Sequence, residues 1–205
     1  MGIETELQAI PENCELLDRA KSDPEFGDQL PHLPSWYHRG SPSLPDYKDF
    51  PAERDFWEMA VELARRHPGL ERRNAYLDRW YDKLHFVLSA KRRGEAAESN
   101  DELWESAIKG EFVLADHITS CQGFPVRYVT AKQVTKIAVA VEHLQFSDLV
   151  VNIDCQRMDE MSVYKSCSDD SPAEEAKFLS EYFTAFRDFY LDAAAHEEAA
   201  LVVRM

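Results

Sequence analysis

The chain has 205 residues with 44% hydrophobic and 30% charged side chains, which fits one globular domain that buries its own core. Its 38 acidic residues outnumber 23 basic ones, a net charge of −15. A field of that sign repels phosphate backbones and anionic lipid, so nucleic-acid and membrane-surface binding are disfavoured; it favours cationic partners only weakly, and solubility is the preferred reading of the charge.

No apolar run approaches the roughly 18 residues that span a bilayer, and the opening "MGIETELQAI" lacks the basic and apolar regions of a secretion signal. Cys14, Cys121, Cys155 and Cys167 form no CxxC pair. The expectation is a soluble cytoplasmic protein with reduced thiols.

Taken in order, "GIETELQA" alternates with Ile3, Thr5, Leu7 and Ala9 on one face and Glu4, Glu6 and Gln8 on the other, which predicts a half-buried strand. Pro11 offers a helix start, so "PENCELLDRAK" reads as a short helix. Six of the ten prolines fall between residues 22 and 51, mixed with Trp36, Tyr37, Tyr47 and Phe50. That density predicts an irregular segment packed along the body, with an active-site lid as the less favoured alternative.

Phe56, Met59, Ala60 and Leu63 follow helical spacing, ended by "RHPG" at 66–69, and a second helix is predicted from about Leu70 to Ala90. "SNDELWESAIKG" reads as a helix with a Ser99/Glu102 capping box and a closing Gly110. "FPVRYV" predicts a strand, and Thr130 with Gln133 opens a helix carrying Val134, Ile137, Ala138, Val141 and Leu144. Residues 146–164 predict one or two short helical turns. Ser171, Pro172 and Glu174 open the last helix, and "AALVVRM" closes the chain as a strand. The fold class is therefore α+β: a small mixed β-sheet that includes both terminal strands, packed with amphipathic helices.

His85 in "LDRWYDKLHFVLSA" is the residue with two readings. On a helix it falls at the edge of the apolar stripe, with Tyr81 and Asp82 at contact spacing. A carboxylate-oriented histidine moves protons or ligates metal, whereas a boundary histidine packs its ring. With no nucleophile attached by spacing, the packing reading is preferred. Asp116-His117 and Glu142-His143 are neighbours that point apart on a helix, and no HExxH, GxSxG, phosphate-binding loop or dinucleotide fingerprint occurs. No catalytic residue, metal ligand or cofactor is assigned.

Four stretches carry a resemblance: "MGIETELQAI"; "YDKLHFVLSA" at 81–90; "YVTAKQVTKIAVAVEHL" at 128–144; and "MDEMSVY" at 158–164 followed by "YFTAFRDFYLDAA". Together they resemble the YfbM-like family of bacterial proteins, a domain of unknown function. Leu84, His85, Phe86 and Leu88 match the family's Trp-x-x-Leu-His-x-x-Leu-Thr-Gly signature, with Tyr81 where tryptophan is usual. Ser89-Ala90 replaces the usual Thr-Gly, and Lys165 follows Tyr164 where proline is usual.

The resemblance implies one α+β domain over 1–205, in which the proline-rich segment at about 22–51 and the helix at about 53–66 are an insertion. It implies no reaction. A cleft in such a domain is expected to be walled by Tyr81, His85, Asp116, His117 and Tyr164. The leading expectation is a non-catalytic protein-binding domain of the immunity or adaptor type that meets a basic protein. The alternative is a small-molecule binder or enzyme with a pocket around His85.

Overall fold

A computed structural model describes residues 2–38, 51–89, 101–166 and 171–205. Strands β1 (Thr5–Ile10), β2 (Asn74–Asp78), β3 (Phe112–Val113), β4 (Arg127–Val129) and β5 (Ala199–Arg204) form one sheet in the order β2-β1-β5-β4-β3. The terminal strands are central neighbours, paired from Thr5↔Arg204 to Ile10↔Ala199. The α+β class and the terminal strands are as expected, but every pairing is antiparallel, so the sheet is not mixed.

Ten α-helices are assigned among the described residues: α1 (Glu15–Ser22), α2 (Pro24–Gly27), α3 (Leu33–His38), α4 (Pro51–Arg66), α5 (Tyr81–Ser89), α6 (Asp101–Lys109), α7 (Ala131–Glu142), α8 (Phe146–Leu149), α9 (Cys155–Glu160) and α10 (Pro172–Ala195). Leu7, Ala9, Ala75, Leu77, Ala200 and Val202 share one face of the sheet, and α10 and α7 pack there. Gln8, Ile10, Leu201 and Tyr128 share the other, beneath α3, with Lys21 of α1 6.0 Å from the centre of the Tyr128 ring.

Both faces are therefore covered, and β1 is not half-buried as alternation predicts. Gln8 is fully buried, and its Nε2 donates to the carbonyls of Ala9, Leu70 and Arg73 at 3.0–3.2 Å. Those acceptors replace the water of the amide nitrogen, while the buried Oε1 has no hydrogen-bond partner.

The caps show which local signals held. Ser171 and Glu174 form a reciprocal capping box at α10, with Pro172 in its first turn. Thr130 accepts from the Gln133 N–H at the start of α7. Gly110 closes α6 at φ 84°, where a Cβ would collide with the Cβ of Arg127, so both conformation and space require glycine. Ser99, predicted as the cap of α6, lies outside the described residues. The helix expected from Pro11 begins only after Cys14.

The proline-rich segment is helical where described, up to His38. Pro24 and Pro31 occupy the first turns of α2 and of a 3₁₀ turn at Leu30–His32, where a missing N–H costs nothing. Residues 39–50 lie outside the described residues.

The continuous helix expected from Leu70 to Ala90 is instead a 3₁₀ turn (Leu70–Arg72), then β2, then α5. Asp78 at φ 48° makes the break between strand and helix. Cys14 and Cys121 are free thiols, the first buried and the second exposed.

The core is rich in buried phenols. The Tyr37 hydroxyl donates to the Ala60 carbonyl at 2.8 Å, and that of Tyr190 to the Ala107 carbonyl at 2.6 Å. Burial pushes both hydroxyls well above the ordinary value near 10. Above about pH 10 the unfolded chain loses these protons and the folded chain keeps them, so stability falls with rising pH and is unaffected below that point. In an alkaline titration, the phenolate absorbance of these two residues should appear together with loss of helical circular dichroism. Ionisation of all eight tyrosines near pH 10 with the helices intact would contradict the assignment.

Candidate functional site

The residues expected to wall a cleft divide into two groups. Tyr81, buried at the first position of α5, stacks on Tyr164 with ring centroids 6.0 Å apart. The Tyr164 hydroxyl accepts from the Ile3 N–H at 2.9 Å, and its own N–H donates to Asp82 Oδ2 at 2.9 Å. Burial, with the Asp82 carboxylate beside it, raises the Tyr81 hydroxyl above its ordinary value. This stack ties the N-terminal segment, α5 and the chain after α9 together. His85 sits half-buried one turn along α5.

Asp116 and His117 are elsewhere, on the chain between β3 and β4. Asp116 is exposed. His117 Nε2 lies 2.9 Å from the Ala20 carbonyl of α1, and Gly27 leaves it room, since a Cβ there would stand 3.1 Å from that nitrogen. Among the described residues no hydrogen bond, ion pair or ring contact joins this pair to Tyr81 or Tyr164. The geometry of His117 is that of a strut between a loop and α1.

A different constellation, absent from the sequence reading, lies where β2 forms one edge of the sheet. Tyr76 projects from β2 and is exposed, and its hydroxyl donates to Glu4 Oε2 at 2.6 Å. Tyr182 on α10 donates to Asp78 Oδ2 at 3.3 Å. Burial, then the carboxylates of Asp78 and Glu181, push the Tyr182 hydroxyl up to about 12. The Tyr76 hydroxyl is raised by burial and by its bond to Glu4, with Asp78 and Glu6 adding to it. Two phenols thus approach one group of carboxylates from either side of the edge strand.

Beside them, Trp80 stacks on Tyr182 and Phe178, with centroids 5.8 and 5.3 Å apart. Phe178 and Tyr182 are four residues apart on α10 and so share a face. Phe178 is 41% exposed. The indole's other neighbour is the ammonium of Lys83, 4.1 Å from the ring centroid and bonded to Glu175 at 2.7 Å. Arg79 is the local cation at the surface, 3.7 Å from Glu4 and 4.0 Å from Asp78.

The chemistry available is recognition. Aromatic faces and carboxylates both attract ammonium and guanidinium groups, and the outer edge of β2 has no strand paired to it among the described residues. Among the described residues, no group of three or more His, Cys, Asp or Glu is arranged to hold a metal ion. Nor is any helix among them long and apolar enough to cross a membrane.

No curated protein matches the sequence. Among solved structures, the fold is similar to the crystal structure of YfbM from Escherichia coli, a protein of unknown function, with a TM-score of 0.57 and 16% identity. That alignment covers 98% of this chain and 99% of YfbM, and at such identity it establishes fold alone. The family model described as "Domain of unknown function (DUF1877)" matches residues 3–203, and the chain belongs to that family.

Proposed function

We propose that this protein is a non-catalytic protein-binding module, of the adaptor or immunity type, that takes a basic extended segment of a partner along the edge of β2. The observation that carries this reading is the arrangement of Tyr76 and Tyr182 around Glu4 and Asp78 at an edge strand. An extended peptide adds to such an edge by main-chain hydrogen bonds, and its alternate side chains enter flanking pockets. Here the flanks are aromatic and acidic, which selects lysine and arginine. Two copies of this chain would bring like charges together at that edge, so a cationic partner is favoured over self-pairing.

The test uses a synthetic ten-residue peptide alternating lysine and valine, with a glutamate–valine peptide as control, titrated against tryptophan fluorescence. Trp80→Phe identifies the responding ring. The lysine peptide should bind and the control should not, with affinity falling several-fold between low and physiological salt. Asp78→Asn should weaken binding without disturbing the turn, because asparagine tolerates positive φ. Equal binding of the two peptides, or indifference to Asp78→Asn and Glu4→Gln, would refute the reading.

A further inference from the structure

A second feature lies across the sheet from the β2 edge. α6 and strands β4 and β5 enclose a cavity of about 370 Å³, within the size range of small-molecule sites. Lys109, Arg127 and Arg204 line it and are half-buried, whereas Glu102 and Glu105 are exposed at its rim. The third carboxylate, Glu111, is taken up by the N–H and hydroxyl of Thr130, at 3.4 and 3.2 Å.

The cations inside are not matched in the same way. Arg127 donates to the carbonyls of Gly110 and Glu111. Lys109 reaches Asp82 and Glu105 only at 3.9 and 4.0 Å, well beyond a charge-assisted hydrogen bond. Arg204 stands over the Phe124 ring at 5.4 Å, and among the described residues no carboxylate lies within 4.0 Å of its guanidinium. A planar fork of donors and a nearby ammonium, inside an acidic protein, form a receptor for an oxyanion. The exposed carboxylates at the mouth repel a polyanion and attract an amine.

We infer that this cavity binds a small zwitterion of the amino-acid class, its carboxylate held by Arg204 and Lys109 and its ammonium facing Glu102 and Glu105. The inference is independent of the peptide-binding edge, whose variants leave these residues intact.

Calorimetric titration and thermal melts with a panel of free amino acids test it. The controls are the matching amino-acid amides, which lack the carboxylate, the matching amine-free acids, and inorganic phosphate. At least one amino acid should bind and raise the melting midpoint, while its amide and its amine-free acid bind at least about tenfold more weakly, the loss of one charged contact. Arg204→Gln should weaken the same amino acid by about tenfold or more at an unchanged ligand-free midpoint. The double variant Glu102→Gln/Glu105→Gln should erase the preference over the amine-free acid.

If phosphate or the amine-free acid binds as tightly as the amino acid, the zwitterion assignment is wrong. If no amino acid binds, or binding survives Arg204→Gln, the site assignment is wrong. Lys109→Gln provides a second, independent removal of charge should Arg204→Gln lower the ligand-free midpoint.

Discussion

Glu175→Ala is expected to destabilise the protein by about 3–5 kcal/mol, because it leaves the Lys83 ammonium buried without its counter-charge. Both Glu175 oxygens accept from Lys83 Nζ, at 2.7 and 2.8 Å, and the two side chains are 0% and 4% exposed. The pair clamps the first turn of α10 to α5. Its attraction offsets the cost of removing two charges from water, and deleting one partner exposes that cost.

For a chain of this size the loss corresponds to a fall in melting midpoint of roughly 6–20 °C. The double replacement Lys83→Met/Glu175→Leu removes both charges and retains volume. It should recover most of the loss, and its midpoint should lie close to that of wild type. The two midpoints check the assignment. A Glu175→Ala variant that melts within 2 °C of wild type would show that the pair is hydrated.

Glu198→Ala is expected to cost a similar amount, about 3–5 kcal/mol, by the same physics at a different joint. Arg73 Nε and Nη2 each meet a Glu198 oxygen at 2.7 Å, a bidentate pair with both side chains under 5% exposed. Its remaining nitrogen, Nη1, donates to the Pro68 carbonyl at 3.0 Å. Arg73 immediately precedes β2 and Glu198 immediately precedes β5, with β1 between those strands, so the pair holds the two strand starts across the sheet.

Arg73→Lys keeps the charge but loses the planar fork, so it should recover only part of the stability. Chemical denaturation of the three proteins measures this order: wild type, then Arg73→Lys, then Glu198→Ala. Equal stability of Arg73→Lys and wild type would mean the fork geometry is irrelevant.

These two pairs also mark the limit of what the residues alone disclose. Partners separated by 92 and 125 positions carry no local signal, and Lys83 in "YDKLHF" looks like any surface lysine of a helix. Local chemistry was legible: the Ser171 box, the Thr130 cap, Gly110 and the closing strand all follow from short-range rules.

β2 was misread because "NAYLD" runs into a helical pattern, and its strand pairing with β1 is a long-range event. The edge site depends on the same pairing: on one continuous helix over 70–90, Tyr76 and Asp78 have no reason to meet Glu4 or Tyr182.

Of the five residues expected at a cleft, the Tyr81–Tyr164 stack is a real juxtaposition. Asp116 and His117 stand apart from that stack, on the chain between β3 and β4. His117 is held there against the Ala20 carbonyl of α1.

Amide hydrogen exchange with and without the lysine–valine peptide tests the proposed docking of a basic segment at the β2 edge. The peptide should slow exchange in β2, Asn74–Asp78, and Asp78→Asn should abolish the effect at equal peptide concentration. Protection confined to other segments, or none at a concentration that saturates the fluorescence change, would contradict it.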